Sequence, residues 1–160
     1  LWCDHRAVWC IGTGLAHSAA LDVAMRFVET TTIPAAAFTL AHYLHCAIGA
    51  TDQRLALLLL APPASSYSRI LDLARITRTL KVPSAAVVEE SDSGMADLVD
   101  EVIRVPDCHE ILTPFVYPLP GQLISYYAEL ARPGGNPDIR RTNLQPYARA
   151  FRISQSWTPD

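Results

Sequence analysis

Two sets of side chains in this 160-residue sequence have the types and spacings needed to move protons. The first is Ser18, Asp22, Arg26 and Glu29, which at 100° per residue fall on one narrow face of a helix, with Leu21, Ala24, Met25 and Val28 on the opposite, apolar side. Glu29 ends this stripe and is expected near the strand ends. There it could act as a general base, with Arg26 holding it ionised or holding an anionic substrate. A solvated face laced by an Asp22–Arg26 pair at i,i+4 and an Arg26–Glu29 pair at i,i+3 gives the same pattern. The second set is His42 and His45, whose i,i+3 spacing puts two imidazoles on one helical face. They suit acid–base work in a cleft or an ordinary core or surface role; no third ligand stands at a convincing spacing, so no metal site is expected.

Two further stretches could hold an anion. Gly12-Thr13-Gly14 follows a strand-like run and opens a helix, where free backbone N–H groups favour phosphate; it lacks the third glycine of a dinucleotide fingerprint, and no cofactor is expected. Ser65, Ser66 and Ser68 follow a second apolar run and stand at the start of another helix, where they would cap it, bind a phosphate, or both. Thr13, Ser65 and Ser66 are thus candidate binding residues alongside Arg26. The turn Ser91-Asp92-Ser93-Gly94 reads as an ordinary turn. Lys81 is the only lysine, which leaves little for Schiff-base chemistry.

The elements that must position these residues follow from the apolar pattern. Strands are expected at Arg6 to Ile11, Leu55 to Leu60, Ala85 to Val88 and Glu101 to Val105. Helices are expected from the glycine turn to about Thr30, from about Thr39 to Cys46, from Tyr67 to Leu80 and from Leu119 to Ala131, the last stopped by Pro133-Gly134-Gly135. Apolar strands without alternation, separated by helices, predict a parallel sheet covered on both faces, a three-layer αβα sandwich of flavodoxin-like type. Val8, Ile11, Leu57, Leu59, Ala86, Val88, Val102 and Ile103 should be largely buried.

Composition narrows the function. Half of the residues are hydrophobic and 18% are charged, enough to bury a core, and the length fits one domain over 1–160. A net charge of −3 gives no surface for a nucleic-acid backbone. The longest apolar run, Leu55 to Ala61, has strand length, so no membrane span is expected. Cys3, Cys10, Cys46 and Cys108 show no CxxC spacing, and thiols in a reducing cytoplasm are expected rather than a disulfide frame.

The order of these pieces resembles the second sugar isomerase (SIS) domain of the glucosamine-6-phosphate synthase family and of related two-SIS isomerases and deaminases. Four stretches carry the likeness: Ile11 to Gly14; Ala20 to Ile33; Ala35 to Ala47; and Ile111 to Leu144, through Pro114, Pro118, Gln122, Tyr126 and Tyr127. By this resemblance Glu29 takes the place of the family's catalytic glutamate and His45 that of its ring-opening histidine. The implied ligand is a phosphorylated sugar, and the implied partner is a second SIS domain or a homodimer mate. The chain then reads as the C-terminal half of a two-SIS protein. It departs from the family pattern at Arg26 and Val28, where lysines stand in the family, at His42 and Cys46, and near Gln145 and Pro146, where a tail lysine is expected. An amino-sugar or ketose phosphate isomerase or deaminase is the reading these residues suggest. The alternatives are a non-catalytic phosphosugar-binding, regulatory or dimerisation module, or a flavodoxin-like domain with another ligand.

Overall fold

A computed structural model describes residues 2–138 and 149–150. The first strand, β1 (Ala7–Ile11), leads through the glycine turn into helix α1 (Leu15–Thr31). Gly14 stands at the helix start with φ 61° and ψ −131°, a conformation essentially closed to residues with a side chain. At the other end Thr32 takes a left-handed conformation and donates its N–H to the Val28 carbonyl, and Pro34 prevents any continuation. Next come β2 (Ala35–Phe38) and helix α2 (Leu40–His42), which passes without a break into a π-helical turn (Tyr43–Ala47) and a 3-10 turn (Ile48–Ala50). Then follow β3 (Leu55–Leu60), α3 (Tyr67–Thr79), β4 (Ser84–Glu89), β5 (Glu101–Val105), a 3-10 turn (Glu110–Leu112), α4 (Thr113–Val116) and α5 (Pro118–Leu130).

All five strands pair in parallel in the order β2-β1-β3-β4-β5. This is the expected three-layer sandwich with the flavodoxin-like strand order. Every residue of β3 and β4 is buried, because side chains pointing to either face meet helices. Leu58 and Leu60 face a core shared with Val23 and Phe27 of α1 and Ala128 of α5. Leu57 and Leu59 face the opposite core, with Tyr43 and with Ile70 and Leu73 of α3. Each such leucine contributes roughly 1.5–3 kcal/mol by leaving water.

The strands at Ala7–Ile11, Leu55–Leu60, Ser84–Glu89 and Glu101–Val105 match the sequence expectation closely, and three details differ. Ala35–Phe38, to which the sequence pattern assigns no element, is an edge strand held by its register with Val8 to Ile11. Val102 and Ile103 are half-buried, since β5 is the other edge and is only partly covered. On α1, Leu21, Met25 and Val28 are exposed, and of the expected apolar side only Ala24 is buried; the packed face is Ala16, Ala19, Ala20, Val23, Ala24 and Phe27. Small residues dominate there because α1 lies close to its neighbours. A Cβ on Gly121 of α5 would sit 2.5 Å from the Val23 methyls, so only glycine permits that approach. The tail stretch from residue 139 to Asn143, together with Gln145 and Pro146, lies outside the described residues.

Candidate functional site

The strand order fixes where a ligand crevice can open. From β1 the chain moves to one side, to β2, then returns to the other side for β3, and the loops leaving β1 and β3 diverge at this switch point. The β1 loop is Gly12-Thr13-Gly14 and the β3 loop runs from Ala61 to Ser66, and the pairing of Ile11 with Leu59 makes them neighbours on the same edge of the sheet. Thr13, Ser65 and Ser66 therefore share the C-terminal end of the sheet.

Their hydrogen bonds differ. Thr13 Oγ1 accepts the Leu40 N–H at 3.3 Å, so this side chain ties the glycine turn to the start of α2. Ser66 stands at the N-cap of α3, yet its hydroxyl makes no capping bond; the first turn bonds instead to its carbonyl, at 3.1 Å from both Arg69 N and Ile70 N. Ser65 is exposed. The capping role expected for the serine cluster is thus absent at Ser66.

A cavity of about 290 Å³ lies beside this edge, lined by Pro63, Tyr67, Glu89 and the turn from Ser91 to Gly94. Glu89 is 7% exposed, and its carboxylate accepts the Cys108 N–H at 3.2 Å. The Tyr67 hydroxyl donates to Asp92, and burial first, then this contact, pushes its pKa up. Sequence reasoning passed over these residues and read the turn as ordinary. The available signal was a glutamate ending a strand whose other residues are all buried.

Arg26 and Glu29 meet as their spacing requires. Arg26 NH1 lies 3.1 Å from Glu29 Oε2, and its Nε lies 3.8 Å from Asp22 Oδ1. Asp22 in turn accepts from Gln122 Nε2 at 2.7 Å, which links the polar stripe to α5. Glu29 and Arg26 are both more than two-fifths exposed. Since β1 and β2 are parallel, α1 must run back along the sheet between them. Glu29, fourteen positions after Leu15, is carried about 20 Å from the glycine turn, to the N-terminal end of the strands.

His45 lies elsewhere. It stands at the middle of the π-helical turn and is exposed, as are His42 and Cys46. That turn packs into the core on the α3 face of the sheet, whereas α1 packs into the other core. The sheet therefore lies between the elements that carry His45 and Glu29. Among the described residues no group of three or more His, Cys, Asp or Glu side chains could hold a metal ion, and no helix is long and apolar enough to cross a membrane.

Two helices present exposed apolar residues that no other element among the described residues covers. On α5 these are Leu119, Leu123, Tyr126, Tyr127 and Leu130, and on α1 they are Leu21, Met25 and Val28. Between α5 and the free edge of β5 a groove of about 600 Å³ is lined by Trp2, Ile103, Val105, Leu123, Ile124 and Tyr127.

Comparison with known proteins agrees with this architecture. The chain is 26% identical over 127 residues to the glutamine–fructose-6-phosphate aminotransferase (isomerizing) of Methanosarcina mazei, an alignment covering 79% of this chain and 21% of that protein. The chain thus spans about a fifth of that relative's length. Its fold is shared with the C-terminal domain of glucosamine-fructose-6-phosphate aminotransferase from Francisella tularensis, with a TM-score of 0.75 at 19% identity over 86% of this chain and 39% of that one. It is also shared with tagatose-6-phosphate ketose/aldose isomerase from Escherichia coli, with a TM-score of 0.67 at 16% identity over 78% and 35% of the two chains. The model of the SIS domain family matches residues 1–132. With more than four-fifths of its length matched, the chain belongs to the SIS domain family.

Proposed function

We propose that this chain is the C-terminal SIS domain of a cytoplasmic two-SIS enzyme that isomerises an amino-sugar or ketose phosphate, with Glu29 as the proton-transferring base and His45 as the ring-opening acid–base group. The observation that carries this reading is the setting of Glu29. Its carboxylate is oriented by Arg26 and stands at the border of the uncovered apolar stripe Leu21, Met25 and Val28. A second SIS domain seated on that stripe and on the apolar face of α5 would exclude water around the carboxylate, which a general base needs to work at full strength. Ser66, Ser65 and Thr13 at the switch point suit phosphate or sugar hydroxyls, and with about 20 Å between the glycine turn and Glu29 of the same chain they would serve a site completed by the Glu29 of a different copy.

The chemistry divides between two groups. His45 gives a proton to the ring oxygen as the bond from that oxygen to the anomeric carbon breaks, and the anomeric hydroxyl gives its proton to water, leaving the open-chain carbonyl. Glu29 then takes a proton from the carbon beside the carbonyl and returns it to the neighbouring carbon through an enediol. Arg26 holds the Glu29 carboxylate in place. The test is incorporation of solvent deuterium into the C1 or C2 position of the phosphosugar by the full-length protein. Glu29→Gln keeps the shape but cannot accept a proton. It should lower exchange by about 10²- to 10⁴-fold while phosphosugar affinity stays nearly unchanged. Undiminished exchange removes Glu29 as the base.

A further inference from the structure

His45 leaves the chain from a turn with unusual construction. The preceding helix is regular to its first turn: Thr39 Oγ1 accepts the His42 N–H at 3.2 Å, and the Tyr43 N–H reaches the Thr39 carbonyl at 2.9 Å. The next bond skips one residue further, with the Ile48 N–H donating to the Tyr43 carbonyl, so Tyr43–Ala47 forms a single π-helical turn. An inserted residue of this kind changes the direction of the side chains in the turn, and such turns are rare overall and frequent at functional sites. It also breaks the regular i,i+3 relation of His42 and His45. A wider turn needs something to hold it open, and the residues at its two ends supply that.

Tyr43, its first residue, is fully buried, with its ring 6.1 Å from Trp9 and 6.3 Å from Phe38, both edge-on. Its hydroxyl lies 2.8 Å from Thr51 Oγ1, and Thr51 Oγ1 donates to the carbonyl of Ala47, the last residue of the turn, at 3.3 Å. With the threonine proton spent on Ala47, the Tyr43 hydroxyl is the donor in the shared bond. Burial raises the Tyr43 pKa, which keeps that donor protonated. The first and last residues of the turn are therefore joined through one side chain that belongs to neither, and the exposed imidazole sits midway between them.

We propose that Tyr43 and Thr51 form a brace that fixes the π-helical turn and thereby aims His45 outward, which makes them positioning residues for its acid–base role. This inference rests on the reading of His45 given above. Tyr43→Phe keeps the buried ring and removes only the hydroxyl. Thr51→Val removes the link, and Thr51→Ser keeps it. In the full-length protein, with fructose 6-phosphate as the probe, Tyr43→Phe and Thr51→Val should each lower kcat roughly 10- to 100-fold with KM nearly unchanged, as expected for a displaced catalytic group, while Thr51→Ser should restore turnover. Adding Tyr43→Phe to His45→Ala should slow the enzyme no further; equal slowing in both backgrounds would mean general damage to the fold and would overturn the brace.

A second readout separates failure of the brace from failure of the His45 assignment. Carbethoxylation by diethyl pyrocarbonate, followed residue by residue by mass spectrometry, should change several-fold in rate at His45 in Tyr43→Phe, with His5 and His109 unaffected. An unchanged rate at His45 overturns the brace whatever His45 does. A changed rate with full turnover in His45→Ala keeps the brace and removes the acid–base role.

Discussion

The surroundings of His45 and of Glu29 are built in opposite ways. His45 stands on a short π-helical turn whose ends are tied by Tyr43 and Thr51 over an aromatic cluster. Glu29 stands on a long, regular α-helix, held by one exposed arginine, on the other face of the sheet. Packing gives the first its direction, and a surface ion pair beside an uncovered apolar stripe gives the second its own. The sheet lies between the elements that carry them, and if both take part in one reaction we expect each to complete a site with groups from another domain or another copy.

The largest expected effects fall on chemistry. His45→Ala and Glu29→Gln should each reduce turnover by about 10²- to 10⁴-fold, with circular dichroism melts within about 1–2 °C of wild type, because both residues are exposed and neither supports the core. A loss at one residue and none at the other would break the symmetry of the comparison.

Stability comes next. Gly121→Ala forces a methyl against Val23, which loosens α1 from α5 on the Glu29 side and leaves the His45 side alone. Overpacking of this kind costs about 1–3 kcal/mol. The melting temperature should fall by roughly 3–10 °C, while carbethoxylation of His45 keeps its rate.

Leu123→Glu alters the exposed face of α5 and no core contact. Sedimentation should show weakened association of the full-length protein, with a stability change within about 0.5 kcal/mol. Unchanged association would mean that the apolar face of α5 is not where the domains meet. The smallest effect belongs to Arg26→Gln. It removes exposed ion pairs, so its cost in unfolding free energy, read from urea titrations, should stay below about 1 kcal/mol, and any larger effect should appear in kcat.

Much of this was legible in the sequence. Four expected strands without polar alternation, with helices between them, were enough for the sandwich, because strands apolar on both faces need helices on both sides. The ion pairs of Arg26 followed from spacing alone. Other features depended on contacts that spacing does not encode. Ala35 to Ala37 have weak strand preference and become a strand only through pairing with β1. Leu21, Met25 and Val28 look like a core face, yet the alanines of α1 hold that position because close approach to α5 selects small side chains. The π-helical turn depends on which carbonyl Ile48 reaches, a choice made by Tyr43 and Thr51 together. Ser66 occupies a capping position without capping, which no residue pattern distinguishes from a true cap.

The separation of His45 from Glu29 is tested most directly by mixing two inactive full-length proteins, one carrying Glu29→Gln and the other His45→Ala, under conditions that let subunits exchange. If each site draws Glu29 from one copy and His45 from another, mixed assemblies regain an intact site, and a randomly exchanged dimer should recover about a quarter of wild-type turnover. A mixture as inactive as its parents, with exchange verified by mass, would contradict the account, because the two residues would then not be contributed by separate copies to one site.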